Sequence, residues 1–128
     1  MTRIRIAAAA LAVAGACVGV FVASSFAAAN RAAVVKPTTI TVSAKEFHFA
    51  LSAVSIAKPG TVIFKVKNIG KEAHNFVFLS GINKGTPLIQ PAKTATIKLV
   101  FKKKGKYTYE CTVGEHAEEG MLGTFTVK

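Results

Sequence analysis

The chain has 128 residues, carries 17 Lys+Arg against 6 Asp+Glu for a formal net charge of +11, and draws every one of its acids from Glu. This length holds one ordinary domain and excludes mechanisms that need two. The lack of Asp excludes a Ser/His/Asp hydrolase.

Met1-Thr-Arg-Ile-Arg5 is a short cationic stretch, followed by an uncharged run from Ile6 to Ala29 built mostly of Ala, Val, Gly and Phe. It reads as an export signal, with Ser25-Phe26-Ala27 and Ala27-Ala28-Ala29 as small-x-small cleavage sites and a mature chain starting near Ala28 or Asn30. Two other readings stand beside it. An uncharged run of this length also suits an uncleaved membrane anchor, which needs about 20 residues. Cys17, after Val13-Ala14-Gly15-Ala16, offers lipid attachment. All three put the domain outside the cytoplasm, in the periplasm, in the cell envelope or secreted, with membrane attachment through residues 1–29 in two of them. The expected organisation is therefore a signal peptide or N-terminal membrane anchor over 1–29, a linker over 30–38 containing Lys36-Pro37, and a domain over 39–128. Losing Arg3 and Arg5 leaves the domain strongly basic, and losing or lipidating Cys17 leaves Cys111 as its one cysteine, so no disulfide forms within it.

From residue 39 onward the period is that of strands. Ile40 and Val42 alternate with hydroxyls in Thr39–Ser43, and Phe47, Phe49 and Leu51 continue at spacing two. Lys58-Pro-Gly60 is a turn. Val62, Phe64 and Val66 alternate with Ile63, Lys65 and Lys67 in Thr61–Asn68, which closes on the turn Asn68-Ile-Gly70. Asn75–Leu79 sets Phe76 and Phe78 on one face, and a Gly/Pro-bearing loop runs from Ser80 to Pro91. Thr94–Phe101 is a β-branched strand with Ile97 and Leu99 on one face. Lys102–Lys106 is a turn, Tyr107–Cys111 a strand, and Gly123–Lys128 a last strand with Phe125 and Val127 inward. No stretch after residue 30 has helical periodicity. About seven short strands separated by turn signals predict an all-β fold, a Greek-key sandwich of two sheets.

Cys111, His116 and Met121 share one segment, Cys111-Thr-Val-Gly-Glu-His116-Ala-Glu-Glu-Gly-Met121, between two expected strands. Gly114 and Gly120 permit tight turns, so a thiolate, an imidazole and a thioether can converge. The bland reading of Cys111 is a buried inert thiol. Two sulfur donors with imidazole select copper instead, and a His₂Cys plane with a long axial Met is the blue-copper donor set. His74, just before Asn75–Leu79, supplies the missing imidazole. His48, between Phe47 and Phe49, falls on the opposite face and reads as a surface histidine, with a spare ligand as the alternative.

The segments Asn68-Ile-Gly-Lys-Glu-Ala-His74-Asn75-Phe76 and Tyr107-Thr-Tyr-Glu-Cys111 through Met121-Leu-Gly123 resemble the copper-binding pattern of the cupredoxins, the plastocyanin/azurin-like small blue copper proteins. The resemblance covers roughly residues 38–128. It implies an eight-stranded Greek-key sandwich, one type 1 copper per chain bound by His74, Cys111, His116 and Met121, and reversible one-electron transfer to soluble or membrane-bound redox partner proteins; the chain itself is expected to be a monomer. It also implies that Asn75 ties the two ligand loops together near the thiolate. The sequence departs from the family where Gly114-Glu115 stands in place of the frequent Pro-Gly before the second histidine.

Three other classes compete with the electron carrier. A copper oxidase needs a second, histidine-rich centre, which three histidines cannot build, so no enzyme is expected. A copper carrier or storage protein without redox turnover usually has a Met-rich or multi-Cys tract, and this domain has one of each. A metal-free structural sandwich would leave Cys111 and Met121 as core. Nucleic acid is not an expected partner of an exported domain. Lys102, Lys103, Lys104 and Lys106 read as a solvated hairpin tip, or as a docking patch for an acidic partner or an anionic membrane. Glu110, Glu115, Glu118 and Glu119 crowd the ligand loop and predict a locally acidic copper end. His116 is expected to expose a ring edge among Ala117, Gly81, Ile82 and Pro91.

Overall fold

The computed structural model describes residues 36–128. The expected signal or anchor, its cleavage sites and Cys17 lie outside the described residues, as does the linker up to residue 35. The remainder is all β: β1 (Thr38–Lys45), β2 (His48–Leu51), β3 (Ser55–Ile56), β4 (Gly60–Asn68), β5 (Val77–Phe78), β6 (Lys84–Gly85), β7 (Thr94–Phe101), β8 (Gly105–Glu110) and β9 (Leu122–Val127). One sheet has the order β2-β1-β4-β7 and the other β3-β9-β8-β5-β6. β1 lies parallel to β4 and β3 parallel to β9, and the remaining ladders are antiparallel. The crossovers these orders require are those of a Greek-key sandwich.

The period-two pattern sets which faces meet. Ile40, Val42 and Ala44 of β1 and Val62, Phe64 and Val66 of β4 are buried, while Lys65 and Lys67 point to solvent. The opposing face supplies Phe76, Phe78, Tyr109, Phe125 and Val127. Phe64 sits among rings, its centroid 5.4 Å from Phe76, 5.2 Å from Phe78 and 5.4 Å from Phe125. Taking each such side chain out of water contributes roughly 1.5–3 kcal/mol, and tilted or edge-on ring pairs add to it. These rings lock the sheets whose ends carry the chemically interesting residues.

Three of the nine strands are only two residues long, and one of them corrects the expected Asn75–Leu79 strand. Upstream of β5 the chain pairs instead with residues 86–89. His74 and Ile89 exchange backbone bonds of 3.1 and 2.7 Å, and Phe76 exchanges bonds of 3.0 Å with the backbone and hydroxyl of Thr86. The Ser80–Pro91 loop thus folds back to brace His74. At the same end the β8–β9 ladder extends one step past the strands, where Cys111 N–H donates to the Met121 carbonyl at 2.9 Å. Cys111 and Met121 therefore face each other across the mouth of the loop that contains His116.

Candidate metal centre

Two loops build the site. In the first, the chain leaves β4 at Asn68, whose buried amide donates to the carbonyls of Glu72 at 2.7 Å and Ile89 at 2.8 Å, while its oxygen accepts the Gly70 N–H at 2.9 Å. The turn expected at Asn68-Ile-Gly70 is thus organised by a side chain that is fully buried. Glu46, from the turn after β1, accepts the N–H groups of Lys71 at 2.6 Å and Glu72 at 2.7 Å. These bonds, that from Glu72 first, lower its pKa from the ordinary 4.5 to about 2 against the opposing pull of desolvation, with a contribution from His74. Gly70 makes room for this carboxylate, since a Cβ there would lie 2.7 Å from Glu46 Cδ.

The second loop closes on itself. Met121 N–H donates to the His116 carbonyl at 2.9 Å, His116 N–H to Val113 at 3.1 Å and Gly120 N–H to Ala117 at 3.0 Å. Gly114 and Gly120 take the positive φ values of 50° and 105° that such turns demand. The two loops are joined by Asn75, which donates to Thr112 Oγ1 and accepts the Thr112 N–H, each at 2.8 Å, one residue beyond Cys111.

His74, Cys111 and Met121 are fully buried, and His116 retains 8% exposure. His74 Nδ1 and His116 Nδ1 are 3.2 Å apart, and Cys111 Sγ lies 3.9 Å from the first and 3.5 Å from the second. A triangle with these sides contains a point about 2 Å from all three atoms, close to the usual bond lengths of a first-row metal to imidazole and thiolate. Among the described residues, His74, Cys111 and His116 are the group of His, Cys and acidic side chains that could hold a metal ion. With two imidazoles, a thiol sulfur and a buried thioether at the loop's mouth, the donor set is of the type 1 copper kind. Met121 is held by backbone bonds to Cys111 and to His116, so its place is tied to both.

Sequence reasoning missed the carboxylates behind the imidazoles. His74 Nε2 is 3.2 Å from Glu46 Oε1, and His116 Nε2 is 2.9 Å from Glu72 Oε2. It also missed Phe47, whose ring lies 4.9 Å from that of His116. The one signal available was that Glu46 and Glu72 are the only acids outside residues 110–119. The expected surroundings of the His116 edge need correction. Gly81 and Ile82 line a groove with Lys102, Lys103 and Tyr107, at the start of β8, which begins at the lysine turn and reaches Cys111 only at its other end. The outer nitrogen of His116 meets Glu72 instead. His48 is exposed on β2, as its parity predicted.

Residues 14–127 match the Cupredoxin-like domain family. Among solved structures, the described fold is similar to the dithionite-reduced auracyanin of Roseiflexus castenholzii, with a TM-score of 0.64 and 21% identity over 71% of this chain and 97% of that one. It is similar also to auracyanin A, a "blue" copper protein of Chloroflexus aurantiacus, at 0.62 and 20% over 73% of this chain and all of that one. A multicopper oxidase of Staphylococcus epidermidis is 41% identical over 39 residues, which are 30% of this chain and 9% of the oxidase. The chain thus spans less than a tenth of that curated relative.

Proposed function

The chain belongs to the cupredoxin-like family, and from that premise we propose that it is an exported type 1 copper protein that carries single electrons between redox partner proteins. The observation that carries this reading is the triangle of two imidazole Nδ1 atoms and one sulfur, with sides of 3.2, 3.5 and 3.9 Å, closed off from water at the end of a rigid sandwich. Copper bound there supplies the one-electron Cu(II)/Cu(I) couple. Cys111 would bind as thiolate, His74 and His116 through Nδ1, and Met121 as the weak axial donor. Residues 39–128 would form the copper-binding domain behind an export segment in residues 1–29.

The protein's own part is to keep these donors still. The ladder bond between Cys111 and Met121 carries the β8–β9 pairing into the ligand loop, the Asn75–Thr112 pair joins the two ligand loops and the Asn68 clamp ties the first of them to β4, so little atomic movement accompanies a change of charge at the centre. His116 is the ligand with residual exposure, which makes its edge the route for electrons. Glu72, Glu115, Glu118 and Glu119 lie exposed on the two ligand loops, beside the exposed apolar Ile69 and Leu122, a surface suited to a partner with cationic and apolar groups at its own redox site.

The rival reading, a copper carrier or store without turnover, differs in what an electrode sees. Protein-film voltammetry of the copper-loaded protein is expected to give a reversible one-electron couple. Tight Cu(I) binding without such a couple would favour the carrier. An oxidase is disfavoured because His48, the third of the three histidines, stands apart on the outer face of β2.

A further inference from the structure

Each imidazole of the centre has a carboxylate at its far nitrogen, and the two near nitrogens face each other. A carboxylate only accepts hydrogen bonds, so Glu46 at 3.2 Å from His74 Nε2 and Glu72 at 2.9 Å from His116 Nε2 each call for a proton on that nitrogen. A neutral imidazole carries one ring proton. Both Nδ1 atoms, 3.2 Å apart, therefore present lone pairs to one another, and the Cys111 thiol proton can relieve only one of them at a time.

Metal-free, this pair of rings has an easy way out. If either ring moved its proton to Nδ1, it could donate to the other Nδ1 across the same 3.2 Å and close the triangle with an internal hydrogen bond. Doing so would leave one carboxylate facing a bare ring nitrogen. That cost is large only if the carboxylates are themselves held in place, and Glu46 is held: its Oε1 accepts two backbone N–H groups, and Gly70 lets it approach the loop. The same loop is pinned by Asn68 at the Glu72 carbonyl, and it carries both the Glu72 side chain and, two residues later, His74. One clamped segment thus sets the acceptor for one imidazole and the backbone of the other.

We propose, on the basis of the copper reading above, that Glu46 and Glu72 are positioning residues that hold both imidazoles in the Nε2–H tautomer and so keep both Nδ1 lone pairs aimed at the metal position. Neither residue touches the metal in this arrangement. Outer carboxylates of this kind orient ligating histidines and raise their basicity, and their removal commonly costs about 10- to 100-fold in metal affinity.

The test compares wild type, Glu72→Ala and Glu72→Gln, because the Glu72 side chain is 54% exposed and its loss leaves the core untouched. Imidazole ¹⁵N NMR of the metal-free protein at pH 8 is expected to find Nε2 protonated in both rings of the wild type. In Glu72→Ala the His116 proton moves to Nδ1, and Cu(II) affinity, measured by chelator competition, falls about 10- to 100-fold. Glu72→Gln, whose amide oxygen can accept the same hydrogen bond, restores the wild-type tautomer. The proposal is overturned if Glu72→Ala keeps the Nε2–H pattern, if its Cu(II) affinity stays within about twofold of wild type, or if Glu72→Gln behaves like Glu72→Ala. A wild type that binds Cu(II) without a blue band would sink the copper reading instead, and the tautomers of the metal-free protein would still report on the carboxylates.

Discussion

At the ligand end of the sandwich, the polar side chains behind Cys111 and His116 have fixed partners, while Glu115, Glu118 and Glu119 lie exposed around them: Asn68 makes three bonds, Asn75 two, and Glu46 and Glu72 each meet an imidazole. At the opposite end Lys102, Lys103, Lys104 and Lys106 are exposed, and the Tyr107 hydroxyl donates to a backbone carbonyl, that of Lys103, at 2.7 Å. Among the described residues the ion pairs are the two histidine–glutamate contacts, so no lysine is paired with a glutamate. Charge follows the same division. Four glutamates lie in or beside the ligand loop and the other two stand behind its imidazoles, whereas the lysine turn is held in water. A polar group with a fixed partner specifies geometry, at a desolvation cost that its bonds must cover; a hydrated one keeps the chain soluble and specifies nothing.

That contrast can be broken from the middle or sharpened at either end. Phe64 packs against rings that support both ends, so Phe64→Ala is expected to cost about 3–5 kcal/mol in urea unfolding, and the copper spectrum of the fraction that remains folded should not change. Asn68→Ala acts on one end. It leaves the Glu72 carbonyl and the Gly70 N–H without that partner, while the Ile89 carbonyl keeps the His74 N–H, and is expected to cost about 1–3 kcal/mol, with weaker Cu(II) binding as the loop loosens. An Asn68→Ala protein of wild-type stability would show that the clamp does not matter.

Acid should reach the same end through Glu46. Its pKa is depressed in the folded protein from 4.5 to about 2, chiefly by the Glu72 N–H, so its stabilising contribution is complete above pH 4.5 and is lost as pH falls toward 2. Thermal unfolding of the metal-free protein across that window should show Tm falling with pH, with a shallower slope in Glu46→Gln. An equal slope in the two proteins would remove Glu46 from the account. The smallest effect is expected at the other end, where Lys103→Gln and Lys104→Gln should change stability by no more than about 0.5 kcal/mol and leave Cu(II) affinity alone.

The fold was legible because its strands bury one face each: Val62, Phe64 and Val66 alternate with solvated lysines, and periodicity reports that directly. Cys111, His116 and Met121 were legible because one loop holds all three at fixed spacing, and His74 because it precedes an apolar strand. The carboxylates were not. Glu72 stands two residues before His74 yet serves His116, and Glu46 reaches His74 from the turn after β1. Such pairings arise only when the sheets close, and no local pattern encodes them. For the same reason the His116 edge was assigned the wrong neighbours: Gly81 and Ile82 are close to the ligand segment in the order of elements but lie along β8 toward its lysine end. The shortened β5 has a similar cause, since the backbone of His74 and Phe76 is satisfied by Ile89 and Thr86 across the loop rather than by a neighbouring strand.

In the proposed centre one thiolate and two imidazole Nδ1 atoms hold a single copper. Adding Cu(II) to the purified protein, in parallel with Cys111→Ser, tests it through the visible spectrum. The expected result is an intense blue thiolate-to-copper band that saturates at one copper per chain, bleaches on reduction, returns on reoxidation and is absent in Cys111→Ser. A wild type without that band, or a band that survives Cys111→Ser, would contradict it.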